Sequence, residues 1–344
     1  MRLRFMFMPI ILLMLIAGLF SGLGRLGLDT GISAFNPSIH GQLMIILLGF
    51  IISIERGAAL GNPIGWCAPL LFTLGGAAQI IGSGLFPQVA ITLGSMFLLA
   101  ESIYIVRLHA ASYTYLMTMA ALLFLIGAIT WLQASFSTSI PAWIGFLTLT
   151  IMSERMELSR IVFKPDIQKL FIVIGGLMFL TSILSIIHLN ALILLGVILT
   201  VSGVWLLRYD VAWVGLGVEG LRRFMAINLL LGYVWLAFSG ITWIVYPISR
   251  HPYLYDLALH STFLGFIFHM IIAHAPLIIP SIFHGKIRYH GFFYLPTILL
   301  NISLGARTIG DLAIDVALRQ TAGVINIIAV LLILPNILYV IVGR

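Results

Sequence analysis

The chain has 344 residues, of which 61% are hydrophobic and 8% are charged. A soluble domain carries about 25% charged residues, so this composition excludes a soluble globular protein and indicates a polytopic membrane protein. In such a chain the net charge of +7 reports orientation and contact with anionic membrane lipid, and it does not indicate nucleic-acid binding. The single cysteine, Cys67, excludes an internal disulfide and a cysteine-ligated cluster.

Twelve segments are apolar enough to cross a bilayer, since a span needs about 20 mostly apolar residues. We therefore expect an all-α membrane fold, forming a single transmembrane domain over residues 1–344, with an uncleaved first helix. The connections are too short for a soluble domain. The predicted spans cover roughly residues 5–23, 41–56, 64–84, 88–107, 112–132, 139–155, 170–188, 190–207, 223–246, 254–279, 289–307 and 321–342.

The basic residues predict the orientation of these spans. Under a twelve-span count one side holds all but four of the 18 Lys and Arg residues, and the other side holds Arg25, Arg250, Arg307 and Arg319. Cytoplasmic loops carry the excess of Lys and Arg in membrane proteins. We expect a multi-pass protein of the cell inner membrane with both termini cytoplasmic.

A weak internal repeat links every fourth span. The pairs Gly49-Phe50, Gly145-Phe146 and Gly265-Phe266 lie in the middle of predicted spans two, six and ten. Internal repeats are common in membrane folds. The pattern is compatible with three pseudo-symmetric four-helix groups, and equally with the general frequency of Gly-Phe pairs in membrane helices.

Two histidines are the leading candidates for a cofactor site. His40 opens the second predicted span in "HGQLM", and His260 lies near the outer end of the tenth in "HSTFLGFIFHMIIAH". Neutral imidazole ligates transition metals and haem iron, and two such histidines satisfy a bis-imidazole haem. Taken singly, His40 is equally well explained as a helix cap and His260 as a hydrogen-bonded core residue.

His269 and His274 are weaker metal candidates. On a regular α-helix His269 lies about half a turn out of phase with His260 and about 13 Å along the axis, and His274 lies about 21 Å away. No single metal ion can then bind two of these three residues. His269 is left as a ligand of a second centre or a helix–helix hydrogen bond, and His274 as a ligand or a structural residue.

Charged residues near His260 are candidates for a supporting shell. Asp256 lies one helical turn before His260 and is placed to accept its second ring N–H. Arg250 and Arg307 are expected on the same side, where they are available for haem propionates or are ordinary loop charges. The remaining histidines are interpreted as boundary or surface residues, with a third-ligand role left open for His251: His109, His188, His251, His284 and His290.

The stretches "HGQLMIILLGF" and "HSTFLGFIFHMIIAHAP" resemble the NnrS family of haem–copper membrane proteins and, more distantly, haem–copper oxidase subunit I. In those oxidases the low-spin haem is held by histidines of helices two and ten, and His40 and His260 fall on the corresponding helices here. The resemblance implies haem b bound by His40 and His260, and a role in nitric oxide metabolism, denitrification or respiratory electron transfer.

The chain departs from that pattern where copper would bind. Span six carries no histidine and span seven only His188, so copper is doubtful. No carboxylate series forms an evident proton channel. Glu101 in the fourth span is the single deep acidic candidate, while Glu55–Arg56 and Glu154–Arg155 are expected to pair at helix ends.

Three functions therefore stay open. The first is a haem protein related to the NnrS group that handles nitric oxide or passes electrons from quinol, in which case a haem-dependent oxidoreductase activity is expected. The second is a cofactor-free, proton-coupled transporter whose intramembrane histidines and Glu101 bind protons or substrate. The third is a non-catalytic accessory or assembly subunit of a respiratory complex.

Overall fold

The computed structural model describes residues 6–29, 36–82, 84–159, 165–283 and 289–342. Within these ranges all regular structure is helical and no strand occurs. Twelve helices are long and apolar enough to cross a membrane, which confirms the predicted class and count. They are α1 (Met8–Arg25), α2 (Pro37–Leu60), α3 (Pro63–Ile81), α4 (Leu85–Leu108), α5 (Ser112–Gln133), α6 (Phe136–Ser159), α7 (Pro165–Ile187), α8 (Ala191–Tyr209), α9 (Leu221–Ser249), α10 (Pro252–Pro280), α11 (Gly291–Ala313) and α12 (Val316–Tyr339).

Several helices extend past the predicted apolar limits because capping residues decide where a helix stops. The Asn36 side chain accepts a hydrogen bond from Ser38 N at 2.9 Å and starts α2. Gly61 ends the same helix with φ 65°, a left-handed conformation that glycine adopts without strain. The hydropathy pattern locates a membrane segment, whereas the caps locate the helix ends.

The chain forms two compact units, Met1–Ser153 and Glu154–Arg344. In unit 1, α2 packs against α1 and α3, and α4 packs against α3 and α5. The phenyl rings of Phe72 and Phe124 meet edge to face at 5.5 Å, and Gly49 provides the space for them on α2. In unit 1, helices that follow one another in the chain therefore pack side by side.

In unit 2, α9 is the central helix and packs against α8 and α10, while α11 and α12 form a hairpin. A Cβ on Gly240 would meet the Gly196 carbonyl oxygen at 2.4 Å, so α8 and α9 approach backbone to backbone. The turns at Arg250 and Ile314 each use a non-glycine residue at positive φ, 52° and 59°. We call this end of unit 2 the Arg250 side, and the end where α8 finishes the Asp210 side.

The tenth span is not a continuous α-helix. It consists of α-helical Pro252–His260, a π-helical segment at Ser261–Phe268, and an α-helix that begins at His269. The half-turn offset expected between His260 and His269 assumed a regular α-helix. That assumption was wrong, because a π-helix pairs residues five apart and has more residues per turn than an α-helix. Such segments are often found at functional sites in membrane and soluble proteins.

The three Gly-Phe pairs have a packing explanation. Phe50, Phe146 and Phe266 are each fully buried. A small residue beside a large buried ring fits close helix packing in a membrane. The arrangement of three four-helix groups stays a prediction.

Candidate functional site

Unit 2 carries buried polar side chains at three levels along α10. The first level is the Asp256 cluster at the Arg250 side, formed by Asp256, His260, Arg307, Asp311 and Arg319. The second is the His269 network in mid-helix. The third is the His274 level at the Asp210 side. Polar groups inside a bilayer are costly unless bonded, so their partners decide what each level can do.

Asp256 is the central acceptor of the first level. Its Oδ2 atom accepts hydrogen bonds from Arg307 Nε at 3.1 Å and from a terminal Arg307 nitrogen at 2.7 Å. Arg319 adds a contact of 3.3 Å to the same oxygen. The His260 Nδ1 atom donates to the Asp256 carbonyl oxygen at 2.8 Å and lies 3.3 Å from Oδ1. The expected contact of Asp256 with the His260 ring is therefore made mainly through the backbone carbonyl.

Arg319 ties the α11–α12 hairpin to this cluster. Its Nε donates to Asp311 Oδ1, and its guanidinium lies 3.8 Å from the ring centroid of Tyr253. A cation over an aromatic face is attracted by the ring quadrupole. Two arginines and two aspartates, Asp256 and Asp311, give this level no net charge when His260 is neutral.

The two arginines expected beside a haem propionate differ in availability. Arg307 is 5% exposed and is bonded to Asp256. Arg250 is exposed and occupies the left-handed turn that ends α9. The structure therefore places Arg307 in an ion-pair cluster and Arg250 at a helix end.

The His269 network lies where the π-helical segment ends. His269 is fully buried, and its Nδ1 lies 3.3 Å from the Leu264 carbonyl oxygen. Since a carbonyl oxygen can only accept, Nδ1 carries the proton and Nε2 of the neutral ring is an acceptor. Asn301 Nδ2 donates to that Nε2 at 2.8 Å. A metal ion would have to displace Asn301 to reach His269 through Nε2.

The Asn301 amide is held by bonds on both of its ends. Its oxygen accepts from Trp235 Nε1 at 2.9 Å, and its nitrogen also donates to the Thr297 carbonyl oxygen at 2.8 Å. Thr297 Oγ1 in turn donates to Asn228 Oδ1 at 2.9 Å. A Cβ on Gly265 would meet Trp235 at 2.8 Å, so that glycine admits the indole. These bonds join α9, α10 and α11 in mid-membrane.

At the third level Arg155 and Asp210 form a buried bidentate ion pair. Arg155 Nε donates to Asp210 Oδ2 at 2.8 Å and a terminal nitrogen donates to Oδ1 at 2.6 Å. The side chains are 5% and 0% exposed. Asp210 Oδ1 also accepts from Ala212 N at 2.7 Å, which caps the turn after α8. We expected Arg155 to pair with Glu154 at a helix end; the structure instead gives Asp210 as its bidentate partner.

His274 lies within electrostatic range of this ion pair. Its Nδ1 donates to the Met270 carbonyl oxygen at 2.7 Å. Its Nε2 is buried and has no hydrogen-bond partner among the described residues. The buried hydroxyl of Tyr233 is a further polar neighbour of Arg155 and Asp210. His274 thus presents an acceptor nitrogen for a proton or a small donor.

His40, the histidine expected to bind a cofactor together with His260, lies in unit 1. Its Nδ1 donates to the Gly18 carbonyl oxygen at 2.7 Å, and its ring packs over Gly22. The partner belongs to α1, so His40 is oriented by a neighbouring helix. Ligating histidines commonly donate their second ring N–H to a backbone carbonyl in this way.

The other histidines lie at helix ends. His251 Nδ1 accepts from Tyr253 N at 3.3 Å and caps α10, and His290 caps the first turn of α11 in the same manner. His109 and His188 are exposed. His284, expected at the lipid boundary, lies outside the described residues. In the described part of the chain no three His, Cys, Asp or Glu side chains come together as a metal site.

Sequence reasoning missed most of the polar partners. Asn228 lies in α9, Thr297 and Asn301 lie in α11, and Asp210 follows α8 directly. A lone Asn in a transmembrane helix is a detectable signal, because such residues hydrogen-bond between helices. Their pairing is a tertiary property.

Comparison with known proteins gives a family without an assigned function. No curated protein matches the chain. A family model described as "Domain of unknown function (DUF8744)" matches residues 2–342. Because that match covers nearly the whole chain, this twelve-helix protein belongs to the DUF8744 family.

Proposed function

We propose that this protein is a proton-coupled membrane transporter in which unit 2 carries the proton path. The observation that supports it is the series of polar groups along α10, from the half-buried Asp256 and His260 through the buried His269 to the half-buried His274. Ionisable residues inside membranes are costly and commonly mark proton or substrate pathways. The π-helical segment between His260 and His269 fits a helix adapted for function.

The charge balance of unit 2 makes its histidines the adjustable groups. Arg307 and Arg319 offset Asp256 and Asp311, and Arg155 offsets Asp210. A proton added to a histidine therefore adds net charge to a neutral region, which couples proton binding to conformation or to solute binding. Histidine is suited to this role because its unperturbed pKa lies near neutrality.

The three histidines have different parts in this proposal. His260 is the histidine at the Arg250 side, and its Nδ1 lies 3.3 Å from an Asp256 carboxylate oxygen. His269 is held as a hydrogen-bond acceptor by Asn301, so it transfers a proton only when that amide reorients. His274 offers a buried acceptor nitrogen at the Asp210 side, about 7 Å of helix rise beyond His269.

Proteoliposomes test the proposal. The full chain is reconstituted with a trapped pH dye, and a potassium gradient with valinomycin drives proton entry, with and without a protein-free extract of small cellular solutes. We expect acidification above that of protein-free vesicles, at least tenfold slower for His274→Gln and unchanged for the exposed control His188→Gln. No flux under either condition contradicts the proposal.

A haem protein of the NnrS-like group is the second candidate. What favours it is that Nδ1 of His40 and Nδ1 of His260 each donate a hydrogen bond to a backbone carbonyl oxygen, an arrangement common among ligating histidines. The residues fit the hypothesis to that extent, whereas Arg307 is already paired with Asp256. In that hypothesis His40 and His260 would be the residues that hold haem b, and the bound group would supply electron transfer.

We also propose partners and a membrane location for the protein. Membrane lipid is the surrounding partner, quinol or a respiratory complex is the electron-transfer partner in the haem hypothesis, and copper stays doubtful. The location proposed is the cell inner membrane, and the distribution of Lys and Arg supports cytoplasmic termini.

A further inference from the structure

Glu101 of unit 1 is a buried acid without a hydrogen-bond donor. Its side chain lies in α4, seven residues before the helix ends and so about 10 Å of helix rise from that end. The residue is 4% exposed, and both carboxyl oxygens are buried with no hydrogen-bond partner in the part of the chain that the structure describes. An ionised carboxylate in this setting lacks the donors that would replace its hydration.

The neighbouring hydroxyl groups are committed elsewhere. Ser102 Oγ donates to the Leu98 carbonyl oxygen at 2.8 Å and accepts from Arg56. Thr118 Oγ1 of α5 donates to the carbonyl oxygens of Thr114 and Ser102, at 2.9 and 3.2 Å. Each hydroxyl has one proton to donate, so these side chains leave Glu101 without a donor.

The charged groups around Glu101 come from α2. Arg56, which is 6% exposed, lies within electrostatic range of both Glu55 and Glu101. The other helices packed on α4 add no charge: α3 has only the thiol of Cys67 as a titratable group, and α5 has tyrosines alone. On α4 itself Arg107 is exposed near the helix end.

Two carboxyl groups therefore share one guanidinium. With both ionised, this part of unit 1 has a net charge of −1 in the bilayer; with one protonated it is neutral. Like charges sharing a site cannot both ionise easily. Glu55 is the less buried of the two, and Glu101 has both oxygens buried. The proton therefore belongs on Glu101.

We infer that Glu101 is a reversible proton-binding site of unit 1, with the neutral carboxylic acid as its resting form near pH 7. This site is separate from the groups of unit 2 and stands whether or not those groups conduct protons. A buried acid held neutral by its surroundings is typical of functional membrane carboxyls.

A hydrophobic carbodiimide is the probe. Dicyclohexylcarbodiimide reacts with a protonated carboxyl: the acid proton moves to a carbodiimide nitrogen, the carboxyl oxygen bonds to the central carbon, and the adduct rearranges to a stable N-acylurea with no atom lost. The full chain in lipid vesicles is treated near neutral pH, digested and analysed by mass spectrometry. We expect the adduct at Glu101, forming more slowly as the pH is raised.

Matched controls use the same chemistry. A water-soluble carbodiimide should modify Glu219, which is exposed in the α8–α9 connection, and not Glu101. Arg56→Met should let Glu101 labelling persist to higher pH, because the guanidinium favours the ionised carboxylate. A residue with a purely structural role would not show that displacement of the pH profile.

Infrared spectroscopy decides the case independently of reagent access. The folded protein should show a protonated-carboxyl C=O band near pH 7 that is absent in Glu101→Gln and retained in the exposed control Glu219→Gln. Circular dichroism verifies that both variants are folded. Persistence of the band in Glu101→Gln, or absence of the band from the unmodified protein, overturns the inference.

Discussion

The side-chain nitrogen of Asn301 donates a hydrogen bond to Nε2 of His269 across 2.8 Å. This bond joins α11 to α10 directly after the π-helical segment, and Trp235 Nε1 fixes the amide by donating to its oxygen at 2.9 Å. If His269 were protonated at Nε2, two donors would face each other. Rotation of the amide would then set its nitrogen against the Trp235 N–H, so a change at His269 spreads to α9 and α11.

Asn301→Ala should destabilise the protein more than Trp235→Phe. The first change leaves the Trp235 N–H and His269 Nε2 unsatisfied, at about 1–3 kcal/mol for each buried group, while the second leaves only the Asn301 oxygen unsatisfied. Unfolding of the purified chain in mixed micelles measures both. Equal stability of Asn301→Ala and the unmodified protein would contradict the network.

The buried pair Arg155–Asp210 should matter far more than the exposed pair Lys169–Asp166. Removing one partner of a buried ion pair costs about 3–5 kcal/mol, because the other charge is left uncompensated. Arg155→Met should therefore lower the unfolding midpoint strongly. Lys169→Met is the control: that pair is 3.5 Å apart with both side chains exposed, so its loss should be nearly silent.

The haem hypothesis predicts a loss of spectrum in two variants. His40→Ala and His260→Ala should each abolish a low-spin b-type band in the reduced purified protein, because each removes one imidazole that would hold the haem. His109→Ala and His290→Ala should retain it. A haem-free protein from haem-replete cells, or an unchanged band in His260→Ala, rules this assignment out.

The charge bias predicts an orientation of the spans, and reporter fusions in living cells test that prediction. A reporter fused after residue 135 should be outside and one fused after residue 215 should be inside. The reason is that the predicted spans place the excess of Lys and Arg on the same side as residue 215, and that excess marks the cytoplasmic side. Alkaline phosphatase and fluorescent-protein fusions give opposite signals on the two sides. Reversed signals at both positions would overturn the predicted orientation.

The sequence by itself determined the fold class and the number of membrane helices. A bilayer requires about 20 apolar residues per helix and internally satisfied backbone, and twelve segments meet that requirement locally. The sequence also identified Glu101, His269 and His274 as unusual, because an ionisable group in an apolar run is visible without a structure.

Tertiary structure alone decided what those groups bond to. Arg155 and Asp210 are 55 residues apart, and Asn301 and His269 are 32 apart, so no local spacing pairs them. The π-helical segment between His260 and His269 also belongs to the tertiary structure. Its backbone hydrogen bonds change the number of residues per turn, and the sequence spacing of the two histidines does not reveal this. Hydrogen bonds between helices depend on which faces meet, and packing of α9, α10 and α11 determines that.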